Sequence, residues 1–202
     1  VTFNICGKFE KRKHHLKAIR EWINLFGMNP QFSLQCAVYN PFFNEEQNAE
    51  IEHQILGGNK VPNVSFLKFM PTNAQYNDYL NSADVVIGAS GGEGWGLPEF
   101  QSCAIGKHAV ILNCNGYKSW ANSNNSTLFE PSSKVSSIDG IFFKGDQPHN
   151  KGNIFDFSTE SYHNALKESV KKVSINRLNE AGLALQQEFS VEKFCDRILS
   201  LF

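Results

Sequence analysis

Asp84-Val85-Val86-Ile87-Gly88-Ala89-Ser90-Gly91-Gly92-Glu93-Gly94-Trp95-Gly96-Leu97-Pro98-Glu99-Phe100-Gln101 is the stretch that decides the architecture. Its opening run, DVVIGA, is β-branched and apolar with no polar alternation, the pattern of a strand covered on both faces. Glycines then break the run, and Pro98 suits the first turn of a helix. Strand, glycine turn and helix in immediate succession form the repeating step of a parallel α/β sheet.

The flanking sequence repeats that step. Strands are expected at about 1–6, 32–39, 64–69, 85–89 and 109–113, with a short one at Thr127–Glu130. Between them lie helices at His14–Phe26, Asn44–Leu56, Asn73–Asn81 and Pro98–Ile105, and a helical turn at Tyr117–Asn122. Asn44 with Gln47 three residues on has the spacing of a capping box. Thr159–Val173, Ile175–Phe189 and Ser190–Leu201 read as closing helices, the last capped by Ser190. Residues from about Ser132 to Phe157 show neither period and read as an irregular excursion. The fold class is therefore α/β, a Rossmann-like parallel sheet with helices on both faces and C-terminal helices, in a single domain over 1–202.

Composition narrows the function. Among 202 residues, 41% are hydrophobic and the net charge is −1, which fits a globular domain and weighs against a nucleic-acid partner. The longest apolar runs fall short of the ~18 residues of a membrane span. Val1–Cys6 leads into a glycine and a basic cluster, unlike a signal peptide. Five cysteines without C-x-x-C spacing favour a reducing compartment and no metal centre, so a cytoplasmic location is expected.

In such a sheet ligands sit at the carboxyl ends of the strands. Two unusual segments fall there. The first is Gly7-Lys8-Phe9-Glu10-Lys11-Arg12-Lys13-His14-His15, with four cations in six residues ahead of a helix N-terminus. Lys8 and Lys13 flank a loop short enough to share one anion, and a phosphate or diphosphate is the natural occupant. Taken alone, the loop reads more readily as a solvated basic run. The second segment is the glycine turn. Amides of about Gly94 to Leu97 can point at an anion, whereas Glu93 suits hydroxyl donors such as a sugar's. Gln101, eight residues after Glu93, can face the same cleft and bond a ribose. The turn is neither a Walker loop nor a full G-x-G-x-x-G fingerprint, and by itself reads equally as a tight turn with glycines for packing.

Together the two segments resemble the C-terminal, donor-binding domain of a GT-B glycosyltransferase of the family 4 type, the glycosyl transferases group 1. That family's G-R-L-x-x-x-K-G appears here as Gly7 to His14, with His14 at the final glycine. Its E-G-F-G-L-P-x-x-E appears as Glu93 to Gln101, and its G-x-P-V-V as Gly106 to Val110. The likeness runs from Gly7 to about Phe129, and one half of a GT-B fold is what it implies.

By that resemblance Lys8 and Lys13 contact the donor diphosphate, with Gly7 shaping the loop. Glu93 meets the donor sugar, Gly94, Trp95, Gly96 and Leu97 offer backbone to the sugar-phosphate, and Gln101 stands at the ribose-binding glutamate. The base is placed around Met70-Pro71-Thr72. The implied activity is transfer of a hexose-like sugar from a nucleotide-diphosphate sugar to an unidentified acceptor, with retention of configuration and no metal required. An N-terminal acceptor domain is expected as partner, and any peripheral membrane contact would come through that half. The chain alone should bind donor weakly and transfer little. The alternative is a non-catalytic relative that binds a nucleotide or glycan, which the Gln101 substitution favours mildly. Trp120 lies in a segment that in the family often touches acceptor or the other domain. Trp22 reads as core or interface, and surface placement is expected for at least one of His14 and His15.

Overall fold

The computed structural model describes residues 1–149 and 151–202. Six strands form a parallel sheet: β1 (Thr2–Gly7), β2 (Ser33–Val38), β3 (Val64–Phe66), β4 (Val85–Gly88), β5 (His108–Leu112) and β6 (Thr127–Phe129). Their order is β3-β2-β1-β4-β5-β6, so the winding direction reverses between β1 and β4. Phe3 lies opposite both Leu34 of β2 and Val85 of β4, which aligns the ends of the two central strands. That reversal opens the crevice in which ligands of doubly wound sheets sit.

Strand alternation sorts the core into two layers. Val85, Ile87, Val110 and Leu112 face the layer of α1 (His15–Phe26), α2 (Glu45–Leu56) and α5 (Thr159–Ile175). Val86, Ala109 and Ile111 face α4 (Leu97–Ala104) and α6 (Glu180–Glu188), with α3 (Asn73–Ser82) alongside α4. β4 and β5 are buried at every residue, as their continuous apolar sequence requires. Trp22 is fully buried on α1 and stacks edge-on against Phe3. The capping box of α2 forms as its spacing predicts, and Ser190 caps α7 (Val191–Leu199). No helix among the described residues is long and apolar enough to cross a membrane.

Most boundaries shift by a residue or two, as with the turn at Asn115–Ser119, and three differences from the sequence reading are larger. β3 ends at Phe66; the Leu67 amide still donates to the Cys36 carbonyl at 2.9 Å, and Lys68–Met70 then leaves the sheet edge to line a cleft. α6 begins at Glu180 rather than Ile175, since Asn176 is extended and Asn179 caps the helix by accepting from the Gly182 amide. The largest correction concerns 132–157. It contains an antiparallel hairpin, β7 (Pro131–Ser136) paired with β8 (Asn153–Phe157). β7 is polar and largely exposed, so it carries no alternation to read. β8 buries Ile154 and Phe157, and the Phe157 ring packs on Phe129 and Tyr162.

Phe157 is thus the hairpin's fully buried anchor in the main core, with Phe155 packed against the same cluster. Phe157→Ala should destabilise the protein by about 3–5 kcal/mol in urea unfolding, the range for removing a buried aromatic. A cost below ~1 kcal/mol would show the hairpin to be a loosely attached excursion.

Candidate functional site

Four segments meet at the carboxyl ends of the central strands: the basic loop, the glycine turn, the hairpin and a 3-10 turn at Asn115–Ser119. Main chain holds them together. The Gly91 amide donates to the Arg12 carbonyl at 2.8 Å, and the Gly91 carbonyl accepts from Phe155 at 3.1 Å and from Asn115 Nδ2 at 2.7 Å. A Cβ at Gly91 would stand 2.0 Å from the Phe155 carbonyl oxygen, so only glycine fits. Farther along, the Gly116 amide donates to the Glu93 carbonyl at 3.1 Å, and the Trp120 indole to the Trp95 carbonyl at 2.8 Å. Gly96 takes φ 77° against the Tyr117 ring, which turns the chain into α4.

The cations are paired rather than free. Lys13 Nζ lies 2.6 Å from Glu93 Oε1, and Arg12 Nη1 reaches the same oxygen at 3.0 Å. Arg12 also donates to the Gly92 carbonyl and, through Nε, to Glu10 at 2.6 Å. Lys8 turns the other way. It pairs with Glu10, and its ammonium stands 4.1 Å from the Phe142 ring and 4.9 Å from that of Phe42. Burial and the neighbouring Arg12 and Lys13 charges lower its pKa. Lys13 and Glu93 therefore meet, while Lys8 stands apart from that pair across the loop.

Beside the loop lies a cleft of about 370 Å³. Gly7 and Lys8 form one wall, Tyr39 and Pro41 another, and Met70, Pro71, Thr72 and Tyr76 close it. Lys13 packs along Gly7, whose φ of 134° leaves no side chain in its path. Tyr76 links this cleft to Gln101, its hydroxyl donating to Gln101 Oε1 at 2.9 Å. Gly94 has open space where a Cβ would be, and Leu97 is exposed at the head of α4. The Trp95 ring instead packs inward on Phe100 and Phe189, leaving its backbone to the turn.

The glycosyl transferases group 1 family profile matches residues 4–142, more than half of the chain and all of these segments but the far arm of the hairpin. The chain belongs to that family. Among curated proteins no sequence match reaches significance. The fold is similar to the C-terminal domain of LpcC, a glycosyl transferase group 1 family protein from Francisella tularensis. The TM-score is 0.68 at 15% identity, over 93% of this chain and 85% of that one. It is also similar to HepE from Anabaena, solved in complex with UDP-glucose (TM-score 0.70, 16% identity, 99% of this chain and 48% of that one). Sucrose-phosphate synthase from Thermosynechococcus elongatus gives 0.65 at 17% identity, over 99% of this chain and 44% of that one. The chain spans about half the length of HepE, and what these likenesses establish is the fold, that of GT-B C-terminal domains.

Within this glycosyltransferase fold, several site neighbours escape a motif reading. Arg12 joins Lys13 on Glu93 because the 3-10 turn at Lys11–Lys13 brings adjacent residues to one carboxylate. The clustering of Arg12 with Lys13 was visible in sequence; Glu10, buried beneath Lys8 and Arg12, gave no such signal. Neither His14 nor His15 is exposed. His14 sits at φ 54° with its ring on the Phe155 carbonyl at 2.7 Å, and His15 is buried in the core. Trp120 is buried too, its indole N–H spent on the turn, so its side chain is a brace.

The contrast between two glycines tests this geometry. Gly91→Ala must part the turn from the hairpin and should cost at least ~2 kcal/mol in chemical denaturation. Gly94→Ala points into open space and should stay within about 0.5 kcal/mol of wild type. Equal costs would mean that the turn is not clasped by Phe155.

Proposed function

We propose that this chain is the donor-binding half of a glycosyltransferase, holding a nucleotide-diphosphate sugar in the crevice between β1 and β4. The observation that carries the reading is the Lys13–Glu93 pair at the family's glycine turn, beside a cleft sized for a nucleoside. HepE, similar in fold, is solved with UDP-glucose. On this reading the base and ribose occupy the cleft at Met70, Thr72 and Tyr76, and the diphosphate lies between Lys13 and the amides at Gly94–Leu97. Glu93 turns from the cations to the sugar hydroxyls.

The chemistry is electrostatic. The bond between the anomeric carbon and the diphosphate oxygen breaks, an acceptor hydroxyl oxygen takes that carbon and gives up its proton to the departing diphosphate or to solvent, and charge builds on the leaving diphosphate. Lys13 and Arg12 stabilise it together with the dipole of α4, and Lys8, on the wall of the adjoining cleft, would join them by leaving Glu10. These cations supply the charge that a divalent ion supplies elsewhere, so the proposed site needs no metal. Transfer with retention, to an acceptor held by a second domain, completes the reading. Gln101 favours a second reading, a binding module without transfer. Its carbonyl oxygen already accepts from Tyr76, and an amide holds ribose hydroxyls less well than a carboxylate.

Calorimetry with UDP, GDP and their glucose and mannose esters tests the site. Lys13→Ala should weaken the preferred diphosphate about 10- to 100-fold, one charge-assisted contact. Glu93→Gln should weaken the sugar ester more than the bare diphosphate. Equal binding by wild type and Lys13→Ala would overturn the assignment. Transfer by the chain joined to an acceptor domain, lost in Glu93→Gln, separates enzyme from binding module.

A further inference from the structure

Beneath the glycine turn lies a carboxyl group that the donor reading leaves unused. Glu99, in the first turn of α4, is 4% exposed. Its side chain runs back under the turn between two glycines. A Cβ at Gly88 would stand 2.9 Å from its Cγ, and one at Gly96 would stand 3.0 Å from its Oε2. Oε2 lies against the Tyr117 side chain, but neither it nor the Tyr117 hydroxyl completes a well-directed hydrogen bond among the described residues.

The groups that act on Glu99 come from every surrounding element. Lys13 belongs to the basic loop, Glu93 to the glycine turn, Cys6 to β1, Tyr76 to α3 and Tyr117 to the 3-10 turn. Lys13 is the cation of this set, and its ammonium is already bonded to Glu93 at 2.6 Å. Glu93 thus holds that lysine by a direct bond, whereas Glu99 feels its charge only through space. Glu93 can turn to a ligand's hydroxyls, but Glu99 is enclosed and can turn to nothing.

We infer that Glu99 is the proton-carrying residue of the anion site, taking up a proton when a diphosphate engages Lys13. A bound anion claims the charge that restrains Glu99 from protonating. The buried oxygen, with no well-directed donor to share its charge, is then relieved by a proton from solvent. Burial already lifts the Glu99 carboxyl to about 7 against the pull of Lys13, so little further change is needed near neutral pH. The sign follows: binding that adds a proton strengthens as pH falls and weakens as pH rises through this range. The inference rests on the proposed anion site and adds a protonation partner to it.

The test uses probes whose charge is constant across the range: UDP-glucose, GDP-mannose and, at high concentration, inorganic sulfate. Carboxyl-¹³C NMR of wild type, with Glu99 assigned by Glu99→Gln, should show its midpoint near neutrality in the free protein and higher by about one unit with the anion bound. Affinity for the bound nucleotide sugar should fall about threefold or more between roughly pH 6.5 and 8, and stay nearly flat in Glu99→Gln. A free midpoint in the ordinary glutamate range overturns the inference, as does a midpoint unmoved by a bound probe. If sulfate alone shifts Glu99, the nucleotide reading fails and the linkage stands. If a nucleotide sugar binds without moving it, the linkage fails and the nucleotide reading stands.

Discussion

Gly91 is fixed at both ends of its peptide unit. Its amide is bonded to the Arg12 carbonyl and its carbonyl to the Phe155 amide and the Asn115 side chain. Through these bonds the loop after β1, the turn after β4, the turn after β5 and the hairpin after β6 become one body. Parallel strands place their loops at one end of the sheet but do not fix those loops relative to each other. Here that task falls to main chain, which requires a residue with no Cβ where the Phe155 carbonyl passes. The consequence is an arrangement in which Lys13 and Glu93, eighty positions apart, can be held at 2.6 Å.

That closeness sets the electrostatics. Three cations and two carboxylates interlock, with Glu10 holding Lys8 and Arg12, and Glu93 holding Arg12 and Lys13. With side chains of Glu10 and Glu93 only 6% and 11% exposed, neither carboxylate is well hydrated, and removing one partner would strand the other. Internal carboxylates therefore stand where the proposal puts an external anion and a sugar's hydroxyls. Binding as proposed would be an exchange of partners and not a simple gain of charge contacts, with the ligand's advantage over Glu93 setting the affinity.

The sheet was legible because its signal is repeated. Five expected strands and the short sixth, each followed by a helix or turn, all appear, and the β-branched runs at β4 and β5 match complete burial. The positions of Lys13, Glu93 and the glycines were legible from spacing, since one turn after each strand must fall at the same edge. What could not be read is which way a side chain on those turns points. Lys8 and Lys13 look equivalent in sequence, yet one meets Glu93 and the other lies between Phe42 and Phe142, the latter some hundred positions downstream. The hairpin was missed for a related reason. β7 is polar on both faces, and the hairpin owes its place to a few groups in β8, among them the Phe155 backbone and the Phe157 ring.

The two departures from the family's motif are answered by residues that the motif does not include. At His14 the backbone is left-handed, φ 54°, ψ 22°, the conformation a glycine adopts at no steric cost. Histidine bears that cost here while its ring binds the Phe155 carbonyl, the same peptide oxygen that leaves no room for a side chain at Gly91. The unfavourable residue thereby fastens the helix start to the hairpin. At Gln101 the missing carboxylate is met by Tyr76, whose hydroxyl occupies the amide's oxygen and whose ring lines the adjoining cleft. Each substitution has traded a feature of the local turn for a bond to an element from elsewhere in the chain. The hairpin and α3 have thus become parts of the site's frame, so His14 and Gln101 must be judged together with Phe155 and Tyr76 and not against the motif alone.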